Sequence, residues 1–341
     1  MMKRTFRQTM VALTLALTLA VPVEAAGRNL IKLGTAAPDG SVWHNGLKRM
    51  AATWDQETGG AVTLRVYAGS VAGDEPDMVR KMRLGQLQAG SISVLGLSQI
   101  DKAFDVFTIP MFYESYEELF FVMDALEPVM TKRLAERGFV FLGWGLGGWA
   151  RLFTKTPVRT VGEIREMKMF VSAGDDPWVQ YWKNNGFRPV PLAVTDIMTG
   201  LQTGLIDGLT TTPLAALMLQ WYRHAPYMID IDLAPLIGAT IVSEKAWGRV
   251  PEESRAALIA SARKLEELLK NEIPAKDEES IQEMAKRGLT VTPPEEAGEQ
   301  VDSWHKLADE LATHMRGTMV PADVYDLAVK AQDEYRKSVD R

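Results

Sequence analysis

An α/β fold built as two domains is what this chain predicts, on three observations. The chain has 341 residues, of which 46% are hydrophobic and 24% charged. That length exceeds what one hydrophobic core usually organises and suffices for two α/β domains. The composition is ordinary for a globular protein. The third observation is pattern. Between Gly147 and Pro213, Phe153, Val161, Met167, Met169 and Val171 mark short strand-like runs. Lys168-Met169-Phe170-Val171 leads into the turn Ala173-Gly174-Asp175-Asp176-Pro177. Trp178, Tyr181 and Trp182 share one face of a helix that stops at Gly186. Asp196, Ile197, Leu201 and Leu205 outline a second helix, ending at Gly204 and leading into strand-like Ile206–Leu209. Strand–helix–strand–helix–strand order favours a layered α/β domain.

The remaining elements follow in order. Lys3, Arg4 and Arg7 precede the apolar run Met10–Val21, and small residues end at Ala25-Ala26. This predicts a cleavable export signal over 1–26, since the run is too short to span a bilayer comfortably. Its removal takes away three positive charges and one negative, moving the net charge from −6 to −8. No cysteine follows it to carry a lipid, and no later stretch is apolar enough for a membrane helix. Asn29–Gly34 reads as a strand, Ser41 as the cap of a helix over Trp43–Thr58, and Ala61–Ala68 as an alternating strand. A helix is expected from Gly73-Asp74-Glu75-Pro76 to Leu84, a strand over Ala89–Leu97, and a buried connector over Asp105–Tyr113. Tyr116–Arg137 reads as a helix and Phe139–Trp144 as a strand. The glycine-rich run Trp144–Trp149 then joins the domains as a hinge; it lacks the ending of a phosphate-binding loop. Leu214–Met228 holds an apolar, aromatic run, and Pro235–Val242 is a strand crossing back to the first domain. Pro251–Arg287 is a long helix broken near Pro274. A short strand at Gly288–Val291 and helices over Pro294–Arg316 and Ala322–Ser338 close the chain.

Several segments resemble a known family. Thr58–Tyr67, Arg83–Gly90 and Asp105–Tyr113 match its first half. Lys168-Met169-Phe170, Gly186–Leu192 (GFRPVPL) and Leu201–Gly208 (LQTGLIDG) match its central signature. The order is similar to that of the periplasmic solute receptors of TRAP transporters, the DctP family. The resemblance implies a two-domain periplasmic-binding-protein-like (Venus-flytrap) fold with the ligand in the cleft and a long helix spanning both domains. Domain I is then 27–148 plus about 236–273, and domain II is 149–235 plus about 274–341. The partners implied are a small-molecule ligand and the membrane permease subunits of a TRAP transporter, and the location is the periplasm. The family usually has an arginine, paired to the ligand carboxylate, where this chain has Phe170. Its other arginine falls at Arg151, and its polar residue after Asp-Gly falls near Thr211 or Thr212.

No catalytic constellation stands out. His44, His224, His305 and His314 have no metal spacing, and nucleophile-elbow serines are absent. Asp175-Asp176 reads as a helix cap rather than paired acids, with an exported hydrolase using them as the alternative. A binding protein serving a sensor is another. The net charge of −6 argues against nucleic acid, and the lack of cysteine excludes disulfides and thiolate chemistry. No cofactor or metal is expected. The candidate ligand-binding set is Trp43, Trp149, Arg151, Phe170, Gly174, Asp175, Trp178, Thr211, Thr212 and Trp221. Aromatics at strand–helix junctions offer contact area to a ring-bearing or apolar ligand at little entropic cost.

Overall fold

A computed structural model of the protein describes residues 29–174, 176–293, 296 and 300–339. The expected export signal and Asp175 lie outside the described residues. Among the described residues nine strands form one sheet: β1 (Asn29–Thr35), β2 (Val62–Tyr67), β3 (Ala89–Ser93), β4 (Phe139–Thr154), β5 (Lys168–Ser172), β6 (Arg188–Leu192), β7 (Gly208–Thr211), β8 (Tyr227–Ser243) and β9 (Thr290–Thr292). Their order is β2-β1-β3-β8-β4-β7-β5-β6, with β9 beside β8. β1, β2 and β3 pair in parallel, as do β5, β6 and β7; β4 and β8 run antiparallel to each other through the middle.

Helices fill the connections: α1 (Val42–Glu57), α2 (Glu75–Arg83), α3 (Val94–Leu97), α4 (Tyr116–Ala135), α5 (Val161–Glu166), α6 (Asp176–Asn184), α7 (Ile197–Thr203), α8 (Pro213–Met218), α9 (Glu244–Trp247), α10 (Glu252–Lys286), α11 (Gln300–Met315) and α12 (Ala322–Val339). Local chemistry sets many of their ends. Ser41 Oγ accepts from the His44 amide at 3.1 Å and starts α1. Thr160 and Glu163 form a reciprocal capping box on α5. Gly204, at φ 72°, closes α7.

The two-domain α/β architecture agrees with the expectation; several elements differ. The run Ala89–Leu97 divides, because Ser93 caps Leu95 and turns Val94–Leu97 into α3. Val161 opens a helix instead of a strand. The hinge glycines are part of β4 rather than a loop, and β8 begins at Tyr227, eight residues before Pro235. Bulges between Phe141 and Gly143, Leu146 and Trp149, and Ala150 and Leu152 absorb the misfit. α10 runs unbroken through Pro274, held by buried Leu269, Ile273 and Ile281 on either side.

Three apolar clusters result among the described residues. The first gathers β1, β2, β3, α1 and α4 and includes Val324, Ala328 and Ala331 of α12. The second and third lie around β5–β7, on Phe153, Leu209 and Met228 and on Leu152, Met169 and Ile229. No described helix is long and apolar enough to cross a membrane.

Candidate functional site

The parallel strands of both halves end where β4 and β8 cross. Ser93 at the end of β3 pairs with Gly238, and Gly238 with Gly145 of β4. Thr211 at the end of β7 pairs with Arg151, and Trp149 with Pro235. Open α/β sheets bind ligands just outside such carboxyl ends. The two halves touch across this edge. Gln99 Nε2 donates to the Gly174 carbonyl at 3.5 Å. A Cβ on Gly174 would sit 3.8 Å from Pro76 Cγ. Glu75, buried beside it, accepts from the amides of Ser93 and Gly96 at 2.9 and 3.1 Å and from Ser93 Oγ at 2.6 Å. Burial raises its pKa, and these hydrogen bonds oppose the shift.

The expected ligand residues are partly brought together. Trp43 is half-buried, its indole Nε1 donating to the Leu146 carbonyl at 2.7 Å. Phe170, in β5, packs against the second cluster. Thr211 ends β7 half-buried, whereas Thr212 is fully buried and accepts from the Ala215 amide as the cap of α8. Trp221 lies in the second core. Trp178 packs against the first cluster and, with Tyr181, forms an edge-to-face pair at 6.3 Å. Tyr181 in turn lies 4.9 Å from the exposed His314 ring, beside a cavity of about 450 Å³ between α6 and α11.

Trp149 and Arg151 meet in a second cavity, of about 250 Å³, with Tyr116, Asp232, Pro274 and Asp277. Arg151 is held by two carboxylates of β8. Its Nε donates to Asp230 Oδ1 at 2.8 Å, and its Nη1 pairs with Asp232. Asp230 and Asp232 are two apart on a strand, so they share a face. Asp277 reaches in from α10. It accepts from the Trp149 amide at 3.0 Å and the Leu214 amide at 3.2 Å, and Tyr116 Oη stands 3.5 Å away. Burial drives its pKa up to about 7, against the pull of those two amides and of Arg151. Burial likewise holds the Tyr116 hydroxyl well above its usual range. Gly148 carries φ 102°, and a Cβ there would overlap the Asp277 carboxylate.

Sequence reasoning missed Glu75, Tyr116, Asp230, Asp232 and Asp277. The alternation in Ile229-Asp230-Ile231-Asp232 was a usable signal for the aspartates of β8. Asp277 had none, lying among Lys276, Glu278 and Glu279 on a charged helix.

Comparisons with known proteins place these features in context. The family model described as bacterial extracellular solute-binding protein, family 7 (DctP) matches residues 33–316. A solute-binding protein of Chromohalobacter salexigens is 26% identical over 227 residues, 66% of each chain. A TRAP periplasmic solute-binding protein of Xanthobacter autotrophicus, solved with β-D-galacturonate, superposes with a TM-score of 0.81 at 19% identity, covering 89% of this chain and 99% of that one. A Bordetella pertussis extracytoplasmic solute receptor binding pyroglutamic acid gives 0.80 at 20% identity, with 89% and 99% covered.

Proposed function

The chain belongs to family 7 of the bacterial extracellular solute-binding proteins, and we propose that it is the periplasmic receptor of a TRAP-type transporter. It captures a small organic acid between two closing halves and hands it to membrane permease subunits. Capture is the whole task; no residue is assigned a catalytic role. The closing units are 27–148 with about 236–273, and 149–235 with about 274–341. Of that tail, α12 is carried by the first unit, whose core holds Val324, Ala328 and Ala331.

The ligand we propose is a ring-bearing acid, less polar than a C4-dicarboxylate. One observation carries this. Arg151 is already paired with Asp230 and Asp232, and Phe170 puts a ring where the family resemblance leads one to expect a cation. Shared with Asp230 and Asp232, Arg151 offers its charge to one ligand carboxylate at most; a second would be buried without a partner, at a cost of several kcal/mol. The acids bound by the two similar receptors, galacturonate and pyroglutamate, each have a ring and a single carboxylate. Aromatic contact comes from Phe170 with some of Trp43, Trp149, Trp178 and Trp221; Gly174, Asp175, Thr211 and Thr212 complete the proposed lining.

Calorimetry with galacturonate, pyroglutamate, alicyclic and aromatic monocarboxylates, succinate and malate tests the reading. Binding of a ring-bearing acid, with a melting temperature that climbs with its concentration, is expected. Micromolar or tighter binding of succinate or malate would sink the ligand assignment. Phe170→Arg should weaken the preferred acid and strengthen simple dicarboxylates.

A further inference from the structure

The crossing between the halves is tied to the spanning helix by one side chain. Asp277 accepts one backbone amide from β4 (Trp149, 3.0 Å) and one from the start of α8 (Leu214, 3.2 Å). The two amides use different carboxylate oxygens. Gly148 leaves the space in which Oδ2 approaches the β4 backbone; a Cβ there would lie 1.8 Å from it. β4 is the strand that carries the chain from the first core to the second, and α10 touches both, with Leu269 and Ile273 in the first and Ile281 and Met284 in the second. The carboxylate is therefore the polar joint at which strand, helix and α8 are held in one relative position.

Resting on the receptor reading above, we infer that Asp277 is a positioning residue of the hinge, and that the proton it gains or loses sets how far the two halves close. The chemistry is simple. An ionised carboxylate has lone pairs on both oxygens and satisfies both amides. A protonated one turns one oxygen into a hydroxyl, which donates outward and accepts poorly. One amide, of Trp149 or of Leu214, then loses its partner, but ionisation leaves a charge out of water, and burial outweighs the amides, so it is the charged form that favours a rearranged, better solvated joint. Tyr116 Oη, which donates to Oδ2 at 3.5 Å, can rotate its hydroxyl hydrogen away and accept from the protonated acid.

The groups facing Asp277 make this a local titration. From β4 comes Arg151, from β8 Asp230 and Asp232, from α4 Tyr116 and Glu117, and from α10 itself Glu278. α8 contributes backbone only. The burial that raises Asp277 to about 7 brings its proton exchange into the physiological range.

The chain contains no cysteine, so two introduced thiols can be spin-labelled uniquely. Val71, 78% exposed after β2, and Leu205, 49% exposed before β7, lie in opposite halves. Double electron–electron resonance on Val71→Cys/Leu205→Cys, without ligand, reads the interdomain distance from about pH 5.5 to 8.5. The expected result is a reversible change in the distance distribution with a midpoint near pH 7, broader on the alkaline side. Adding Asp277→Asn should remove the pH dependence, while Asp232→Asn should preserve it. A distribution that does not move with pH in the parent protein overturns the inference. So does an unchanged midpoint in a folded Asp277→Asn protein. If circular dichroism shows that Asp277→Asn does not fold, Asp277→Glu must displace the midpoint; an undisplaced one overturns the inference equally. The readout uses no ligand, so its failure leaves the receptor reading standing, and failure of the ligand screen leaves this result intact.

Discussion

Trp54 and Asp277 are both almost wholly buried, and their surroundings differ in kind. Trp54 sits in the first core, tilted against Trp247 at 6.1 Å, with its only polar atom donating to Ser261 Oγ at 2.9 Å. Its neighbours are held by shape and apolar area, forces without direction that scale with area removed from water. Asp277 sits where β4, β8, α4, α8 and α10 converge, and its neighbours are held by donors and charges with fixed geometry. Apolar packing sets how much stability a substitution costs. Directional polar packing also sets which arrangement of the two halves is preferred, and does so in a pH-dependent way. One region supplies bulk stability, and the other determines the relation between its parts.

Four measurements break or sharpen that contrast, from the largest effect to the smallest. Trp54→Ala should cost about 3–5 kcal/mol in denaturant unfolding, because a large cavity opens in a closely packed core. The cost should be nearly the same at every pH; a strong pH dependence would contradict the apolar character of the site.

The second uses the titration of Asp277. Its folded pKa, about 7, lies above the usual unfolded value of about 3.9. Between those values the folded state holds the extra proton. Its contribution is therefore fully present below about pH 3.9 and is lost as pH rises through about 7. Relative to Asp277→Asn, the parent protein should lose on the order of 2–3 kcal/mol between about pH 5 and 8. Parallel stability profiles for the two proteins would refute this.

Third, Gly148→Ala should cost about 2 kcal/mol, from strain at a positive φ and displacement of the carboxylate. Part of that cost should disappear in the Asp277→Ala background, because both changes act on the same contact. Strict additivity in the double-mutant cycle would show that the two sites are uncoupled. Fourth, Thr160→Ala removes one side of the α5 capping box and should cost about 1 kcal/mol, without any change in ligand affinity. A change in affinity would mean that α5 helps to shape the cleft.

What the chain revealed beforehand divides along the same line. Elements governed by local chemistry were legible. Ser41 caps α1 as expected, with the helix beginning at Val42, one residue early, Gly204 ends α7 where expected, and α12 matches to within a residue. Elements governed by distant partners were not. Gly145, Gly147 and Gly148 look like a loop by composition, yet they continue β4 because β8 lies alongside, pairing with Gly145 and Leu146 and again with Trp149 across a bulge. Pro274 looks like a break, yet α10 passes through it because both flanks are buried. At the site, Trp149 and Arg151 were foreseen, and they do share a cavity. The carboxylates that surround Arg151 were not, since Asp230 and Asp232 are separated from it by about eighty residues of chain and their pairing exists only in three dimensions.

The first core also has a consequence for the order in which the protein is made. It joins Ile31 and Leu33 near the beginning with Ile237 and Ile241 of β8, Leu265 of α10 and Ala331 of α12. Neither half is therefore a contiguous length of polypeptide. A ribosome extending the chain from its amino end produces β1, β2 and β3 long before the strand and helices that cover them exist. The nascent protein cannot complete its first core until α12, the last described helix, has been synthesised. The buried residues of the second core end at Leu289, so the half that begins the chain is the later of the two to have all its core residues made.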